Sequence, residues 1–518
     1  MWVAYHSHRT VTTLGGVVRL TVPVRRCVAP ACPLYRRPYR PEEELGWALP
    51  HGEFGLDVIA LVGALRFREH RTVPEIHREL RGRRLVIAER TVTHLVQRYE
   101  ELLAVHLGGS SRLRAVLAAQ ERVILALDGL APDVGHEVLW VVRDCLSGEV
   151  LLARSLLSGR EAELAALLEE VQAALAAVPV AIAGVVSDGQ HSIRNAVASA
   201  LPGVPHQLCH FHYLREAALP VYEADRHAKK LLKKEVRGVR PLERALEARE
   251  AAAGPGGDPA AAAARGYCLA VRSALTDDGR PPLAAAGLRL RERLGAIRAS
   301  LARVQAQGGL PRELSRLDRL LARGLAATAA LWPPIELSFG WVHRAAHILG
   351  NDAAKDARAV RAAYARLLGE LRRRRDDAGY LAPAVDRFLR VTASYAPGLF
   401  HCYTVEGLPP TDNDLEHVFG AARHHERRTT GRKVASPALV LRGAVRVVAA
   451  VATRRRPRPF SEYDLQLRDA AALARWHRLR GELAFRHEAR RAQLRFRRAP
   501  AAYLAALEDR LLKSGLPA

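Results

Sequence analysis

Val123-Ile124-Leu125-Ala126-Leu127-Asp128-Gly129 is an apolar run that stops at an acid and a glycine. A run this short and almost wholly apolar reads as a strand buried on both faces. Two further strands are expected from Val138 to Asp144 and from Val150 to Ser155, joined through Ser147-Gly148. Residues 160–177 carry apolar side chains at helical spacing. Val178 to Ser187 is then a second apolar strand, ending at Asp188-Gly189, followed by a helix over 191–201 and a short strand through His206-Gln207-Leu208-Cys209. Three strands, helix, strand, helix, strand predicts an α/β domain built on a mixed sheet.

That order is the one an RNase H-like core requires, and the flanking sequence sets its borders. Residues 1–50 read as strands and turns, with Val11 to Val24 alternating around Gly15-Gly16 as a hairpin does. Cys27-x4-Cys32 follows; it reads either as half of a structural Zn2+ site, with His6 and His8 as partners, or as a pair of buried thiols. Residues 51–115 are expected to be helical. Apolar positions from Leu56 to Leu65 mark one helix, Val73 to Leu80 a second with Thr72 before it and Pro74 near its start, and Glu89 to about Val105 a third. Three short helices with basic residues beside the last resemble a helix-turn-helix DNA-binding unit, a pattern that small helical bundles share. The core's first part spans 116–215 and its second part 405–450. Between them, 216–404 is all-helical, broken at Gly254-Pro255-Gly256-Gly257-Asp258-Pro259.

Composition narrows the partners. Lys and Arg number 79 against 54 Asp and Glu, a net charge of +25, and the sequence pI is about 10.6. A chain this basic is expected to meet a polyanion, of which nucleic acid is the commonest. Residues 451–518 hold 16 Lys and Arg and 7 Asp and Glu, so this basic helical tail is expected to bind phosphate backbone without reading sequence. No apolar run approaches the length of a membrane span. Six cysteines in 518 residues do not make a disulfide framework, and Met1 to His6 lacks the regions of a signal peptide, so a reducing cytoplasm is expected.

Three carboxylates stand out within this frame. Two-metal phosphodiester chemistry needs hard oxygen ligands held on rigid elements. Asp128 and Asp188 each close an apolar strand and each precede a glycine. Either alone could be a turn residue; the pair, in this strand order, favours metal ligation. The third candidate is Glu416 in Thr411-Asp412-Asn413-Asp414-Leu415-Glu416, which opens a helix after Pro409-Pro410 with capping-box spacing from Thr411 to Asp414. Glu416, Gly420, Arg423 and Arg427 fall on one helical face. A metal ligand beside a phosphate backbone or a surface salt-bridge ladder would both give that pattern. For Asp133, Glu137 and Asp144, the remaining acids of the core, a turn or surface role is expected.

Ser187-Asp188-Gly189, Leu201-Pro202 and Cys209-His210-Phe211-His212 resemble the second-aspartate region of Mutator-like transposases and their bacterial insertion-sequence relatives, in which a Cys-x-x-His follows the aspartate strand. Thr411-Asp412-Asn413-x-x-Glu416, with Arg423 and Thr430-Gly431-Arg432, is similar to that family's glutamate helix, Asp412 departing from the usual asparagine. Asp188 follows Asp128 by 60 residues and Glu416 follows Asp188 by 228, the longer gap matching the family's helical insertion. The resemblance covers about 120–216 and 405–435.

The resemblance implies a DDE-type transposase of a bacterial cytoplasm, associated with the nucleoid. Asp128, Asp188 and Glu416 would hold two Mg2+ (or Mn2+) ions. Cys209, His212, Arg423, Arg427 and Arg432 would position DNA. The partners implied are the element's terminal inverted repeats, target DNA and a second copy of the chain in a dimer or larger assembly. A DNA-binding protein descended from such an enzyme without its catalysis, or a nuclease that cuts without joining, would share the core.

Overall fold

The computed structural model describes residues 1–108, 110–131, 137–176, 178–253, 258–432, 439 and 441–514. The Gly254–Gly257 part of the expected helical break, and Asp133, lie outside the described residues. The chain divides into two compact units. The first joins Met1–His206 to Asp412–Ala518 and the second is Gln207–Thr411.

The first unit opens with the expected hairpin, longer than its alternating centre. β1 (Trp2–Thr13) pairs antiparallel with β2 (Gly16–Arg26), and β3 (Pro38–Tyr39) adds a third strand. Helices α1 (Leu56–Phe67), α2 (Val73–Gly82) and α3 (Glu89–Leu107) follow as read. At α2 the Thr72 hydroxyl accepts from Glu75 N–H while the Glu75 carboxylate accepts from Thr72 N–H, a complete capping box. After α4 (Ser110–Ala118) come β4 (Arg122–Leu130), β5 (Val138–Asp144), β6 (Val150–Leu156), α5 (Glu161–Leu175), β7 (Ala181–Ser187) and α6 (His191–Ala200). The sheet runs β6-β5-β4-β7-β8, its edge strand β8 being His206–Leu208. β6, β5 and β4 are antiparallel neighbours, whereas β4 and β7 are parallel and joined by the α5 crossover. The protein is therefore a mixed α/β structure with a mixed five-stranded sheet and a separate antiparallel one.

The second unit is helical: α7 (His210–Ala217), α8 (Leu219–Glu235), α9 (Val239–Ala252), α10 (Pro259–Thr276), α11 (Ala286–Gly308), α12 (Arg312–Ala327), α13 (Trp332–Gly350), α14 (Ala357–Arg373) and α15 (Ala382–Tyr395). Leucines, Trp332, Phe339 and Tyr364 fill its core. The buried Asp225 carboxylate on α8 accepts from the backbone N–H groups of Gly287 and Leu288 at 2.7 and 2.9 Å, fastening the start of α11 to α8.

The chain then returns to the first unit with α16 (Asn413–Thr430), α17 (Gly443–Arg455), α18 (Ala470–Arg498) and α19 (Pro500–Lys513). The C-terminal region is not merely an appended tail. Ala472 and Trp476 of α18 are buried in the same apolar cluster as Leu56, Ile59, Tyr99 and Leu103 of α1 and α3, with Leu473 and Leu479 packed against it. The basic segment 451–518 is therefore anchored in a core through Phe460, Leu465, Leu467, Ala472 and Trp476. Among the described residues no helix is long and apolar enough to cross a membrane.

A buried ion network ties α3, α16 and α17. Arg442 Nε donates to Glu100 at 2.7 Å and its Nη2 to Glu101 at 3.2 Å. Arg446 donates to Glu100 at 2.9 Å and to Glu426 at 3.2 Å. Beside it, His425 of α16 stacks on Phe67 at 5.3 Å, and its Nδ1 lies 3.0 Å from His70 Nδ1. One ring must donate and the other accept, so the contact needs an uncharged acceptor ring. Burial lowers the His425 pKa to about 2, with Arg66, His70, Arg446 and Arg454 adding repulsion.

Two expectations follow from this junction. Removing one partner strands a buried charge, so Glu100→Ala is expected to cost about 3–5 kcal/mol in denaturant unfolding. For His425, the unfolded-state pKa is about 6.5, so its stabilising contribution is complete above that pH and is lost as pH falls below it. Stability should therefore fall by about 1.4 kcal/mol per pH unit from this group as pH is lowered from 6 to 4, and His425→Phe should flatten that slope.

Candidate active site

β4 and β7 pair in parallel with Leu127 level with Ser187. The next residues of the two chains are Asp128 and Asp188. Asp128 is still within β4, whereas Asp188 lies just past the end of β7. An irregularity sets this register. Val123 faces Ile182 but Ile124 faces Gly184, so Ala183 is an extra residue on β7. One-for-one pairing would instead place Asp128 level with Ser187, and a one-residue slip turns a side chain to the other face. Bulges are enriched beside active sites because they re-aim side chains in this way.

The two Asp-Gly steps differ in kind. Asp128 does not end its strand, because β4 continues to Leu130 in antiparallel pairing with β5. Asp128 Oδ1 accepts the Gly129 N–H at 2.7 Å. Gly129 is needed for space, since a Cβ there would come within 2.9 Å of Val138 Cγ1. Asp188 does end its strand. Its Oδ1 accepts the Gln190 N–H at 2.9 Å, and Gly189 turns the chain at φ +86°. Arg194 Nε donates to the Gly189 carbonyl at 2.6 Å, and Ser187 Oγ lies 2.9 Å from His206 Nε2, so both sides of the turn are held.

Glu416 is half-buried near the N-terminus of α16, which packs against β4. The expected capping box does not form. Asp412 occupies the N-cap without a side-chain cap bond. Asp414 is engaged elsewhere, its carboxylate accepting from Arg143 of β5 at 3.2 Å. That pair reaches from helix to sheet, a distance local spacing cannot report. Arg423, Arg427 and Arg432 are exposed, the first two along the Glu416 face and the last just after the left-handed Gly431. Among the described residues, Asp128, Asp188 and Glu416 do not converge to within 4.8 Å of one another as a single-ion cluster would.

Two neighbouring acids prove structural. The buried Asp144 accepts from Gln120 Nε2, Ile124 N–H and both the N–H and hydroxyl of Ser147, tying the β5–β6 turn to β4. Glu137 pairs with Arg486 of α18. Beside Asp144, burial and that carboxylate push the Cys145 thiol up to about 12, which keeps it protonated at neutral pH.

Cys209 and His212 belong to the second unit. Cys209 is wholly buried as the N-cap of α7 and His212 stands one turn into the helix, with sulfur and ring nitrogen within 4.8 Å. β8 stops at Leu208, so His210 lies on α7 and not on a strand; its Nε2 is 2.7 Å from the Leu399 carbonyl, and burial lowers its pKa.

At the N-terminus, Cys27 and Cys32 are within hydrogen-bond reach of each other. Hydrogen bonds from Ala29 N–H and from Cys32 hold the Cys27 thiol below its usual range. Both are half-exposed, not buried. The histidine partners do not fit. Trp2 pairs with Arg26, whereas His6 pairs with Pro23 and His8 with Thr21, the latter 3.0 Å from Thr21 Oγ1. Four residues of ladder separate His6 from Trp2, about 13 Å, against metal–ligand bonds of about 2 Å. Strand geometry therefore overturns a Zn2+ site formed with His6 and His8.

Compared with models of protein families and with curated proteins, the chain matches none.

Asp144 and Asp188 should separate by phenotype. Asp144→Ala leaves several buried donors without an acceptor and is expected to cost about 3–5 kcal/mol in urea unfolding. Asp188→Asn, which keeps an oxygen for the Gln190 N–H, should unfold within about 1 kcal/mol of the unaltered chain.

Proposed function

We propose that the protein is a DDE-type transposase: it cleaves DNA at the ends of a mobile element and joins the freed 3′ hydroxyls to target DNA. The observation that carries this reading is the parallel register of β4 and β7, which ends level at Leu127 and Ser187, each followed directly by an aspartate. The sheet order, with three antiparallel strands, a helical crossover to a parallel fourth and a short fifth, supports the reading of an RNase H-like core. Glu416 comes from a helix packed on the same central strand. The helical unit Gln207–Thr411 interrupts the first unit as an insertion would.

The donor set is all carboxylate oxygen, which suits Mg2+ or Mn2+ and not a thiophilic ion. Asp128, Asp188 and Glu416 would hold two such ions, which activate the attacking oxygen and stabilise the leaving one. The protein's part is rigidity. Backbone N–H groups fix one oxygen of each aspartate, and Arg143 with Asp414 braces α16 against the sheet. Arg423, Arg427 and Arg432 offer exposed guanidinium groups for the phosphates on either side of the reacting one.

Double-stranded DNA would be read by the N-terminal helices. Arg90, Thr93 and His94 are exposed at the start of α3, and Arg81, Arg83 and Arg84 are exposed just before it. A recognition helix uses such positions for its contacts, which supports this reading. Joining two element ends requires both to be held at once, so the active form is a homodimer or larger.

The test uses a plasmid carrying element ends, Mg2+ and the full-length protein. Asp188→Asn is expected to reduce cleavage and joining by about a thousandfold or more, equivalent to about 4 kcal/mol of transition-state stabilisation. EDTA should abolish both steps and Mn2+ restore them. Full activity in Asp188→Asn would overturn the site assignment; cleavage without any joined product would make the protein a nuclease; DNA binding alone would make it a non-catalytic relative.

A further inference from the structure

Of the 79 Lys and Arg residues only seven are lysine, and four of these stand at 229, 230, 233 and 234 on α8. Lys229 is buried and engaged with Asp278 at 2.6 Å. Lys230, Lys233, Lys234 and Arg237 are exposed and fall at i, i+3, i+4 and i+7, one face running off the end of the helix. Among the described residues, no carboxylate lies within ion-pair distance of these four; Glu223, Asp278 and Glu243 nearby are committed to other cations. Glu243, almost wholly buried, holds Arg240 at 2.6 Å and Arg272 at 2.7 Å. Together these cations rim a cleft of about 780 Å³ floored by Val236, Val239 and Leu275.

An ordinary surface does not need this arrangement. Like charges at i, i+4 on a helix repel by about 0.2–0.5 kcal/mol per pair. Favourable interaction with the helix dipole accounts for Lys233 and Lys234 in the last turn, but not for Lys230 before it or Arg237 beyond it. Use of lysine in a chain that otherwise favours arginine is also informative. The ammonium is a compact point charge that contacts a phosphate without fixing its orientation.

We propose that this cleft of the helical unit binds the phosphodiester backbone of nucleic acid without regard to sequence. Seven residues of helix span about 10 Å, close to three phosphates of one duplex strand at about 3.4 Å each along the axis. A phosphate strand is narrow enough to enter a concave cleft, whereas an acidic bilayer surface is not. The inference stands on the helical unit alone and does not depend on strand-transfer chemistry.

Its test measures binding of full-length protein to a labelled 30-base-pair duplex of arbitrary sequence, in EDTA, across a range of NaCl. The variant carries Lys230→Gln, Lys233→Gln and Lys234→Gln; a control carries Arg366→Gln, Arg372→Gln and Arg373→Gln on α14. Thermal melts of all three proteins should coincide. The lysine variant is expected to lower the slope of log K against log salt by about 3, since each phosphate contact contributes about 0.9, while the control leaves it within error. An unchanged slope in the lysine variant, or an equal loss in the control, overturns the proposal. So does loss of binding to vesicles containing 30% phosphatidylserine with DNA binding intact. Asp188→Asn should keep the unaltered slope, which separates failure here from failure of the catalytic reading.

Discussion

One parallel register underlies the arrangement of the candidate site. β4 lies between an antiparallel neighbour and a parallel one, so Leu125, Ala126 and Leu127, just before Asp128, are positioned from both sides. The antiparallel ladder with β5 carries Asp128 within its length and prevents the strand from fraying at the acid. The parallel ladder with β7 ends one residue earlier, at Leu127 and Ser187, and releases Asp188 into a turn. The two carboxylates thus combine different mechanical supports, one inside a ladder and one at a strand end clasped by Arg194 and Gln190. The extra residue at Ala183 makes these supports coincide in level. Without it the same apolar sequences could pair equally well and leave the acids on opposite faces.

Glu416 depends on a second constraint, farther along its own helix. Leu415, Phe419 and Ala422 bury one side of α16, but apolar contacts alone allow a helix to slide. Charged groups at both ends restrict this. Near the start Asp414 meets Arg143 of the sheet; eleven and twelve residues later His425 and Glu426 meet His70 and Arg446. A buried ion pair is weak evidence of net stabilisation because desolvation opposes it. Its value here is positional, since Glu100 and Glu426 accept Arg446 only at one setting of α3, α16 and α17. The N-terminal helices and the glutamate helix therefore share one polar junction.

Where the sequence was legible, burial had left a local trace. The strands at 123–128, 138–144 and 181–187 are apolar because both their faces are covered, and their order follows directly from the runs. The α2 capping box was legible for the same reason: its partners are three residues apart. The failures involve partners far along the chain. Asp414 had the spacing of a cap, but Arg143 lies 271 residues away. His6 and His8 stood near the cysteines in sequence, but an extended ladder carries them apart. The Ala183 bulge has no signature of its own within Ala181-Ile182-Ala183-Gly184; only pairing with β4 reveals it.

The net charge of +25 is likewise not one property. Within the first unit Arg143, Arg442 and Arg446 are committed to carboxylates or carbonyls, and they act as braces. Such residues contribute to the total yet present little field to a ligand. On α8 the charges stand on an exposed face, and Asp278 and Glu243 nearby already hold other cations. Attraction for a polyanion follows from the local excess, because at physiological salt a charge is felt over only about 8 Å. A basic composition therefore indicates that a polyanion is met, but pairing within each unit decides where. By that criterion the exposed arginines of α16 and the lysine face of α8 rank above the buried arginines, although the sequence counts them all alike.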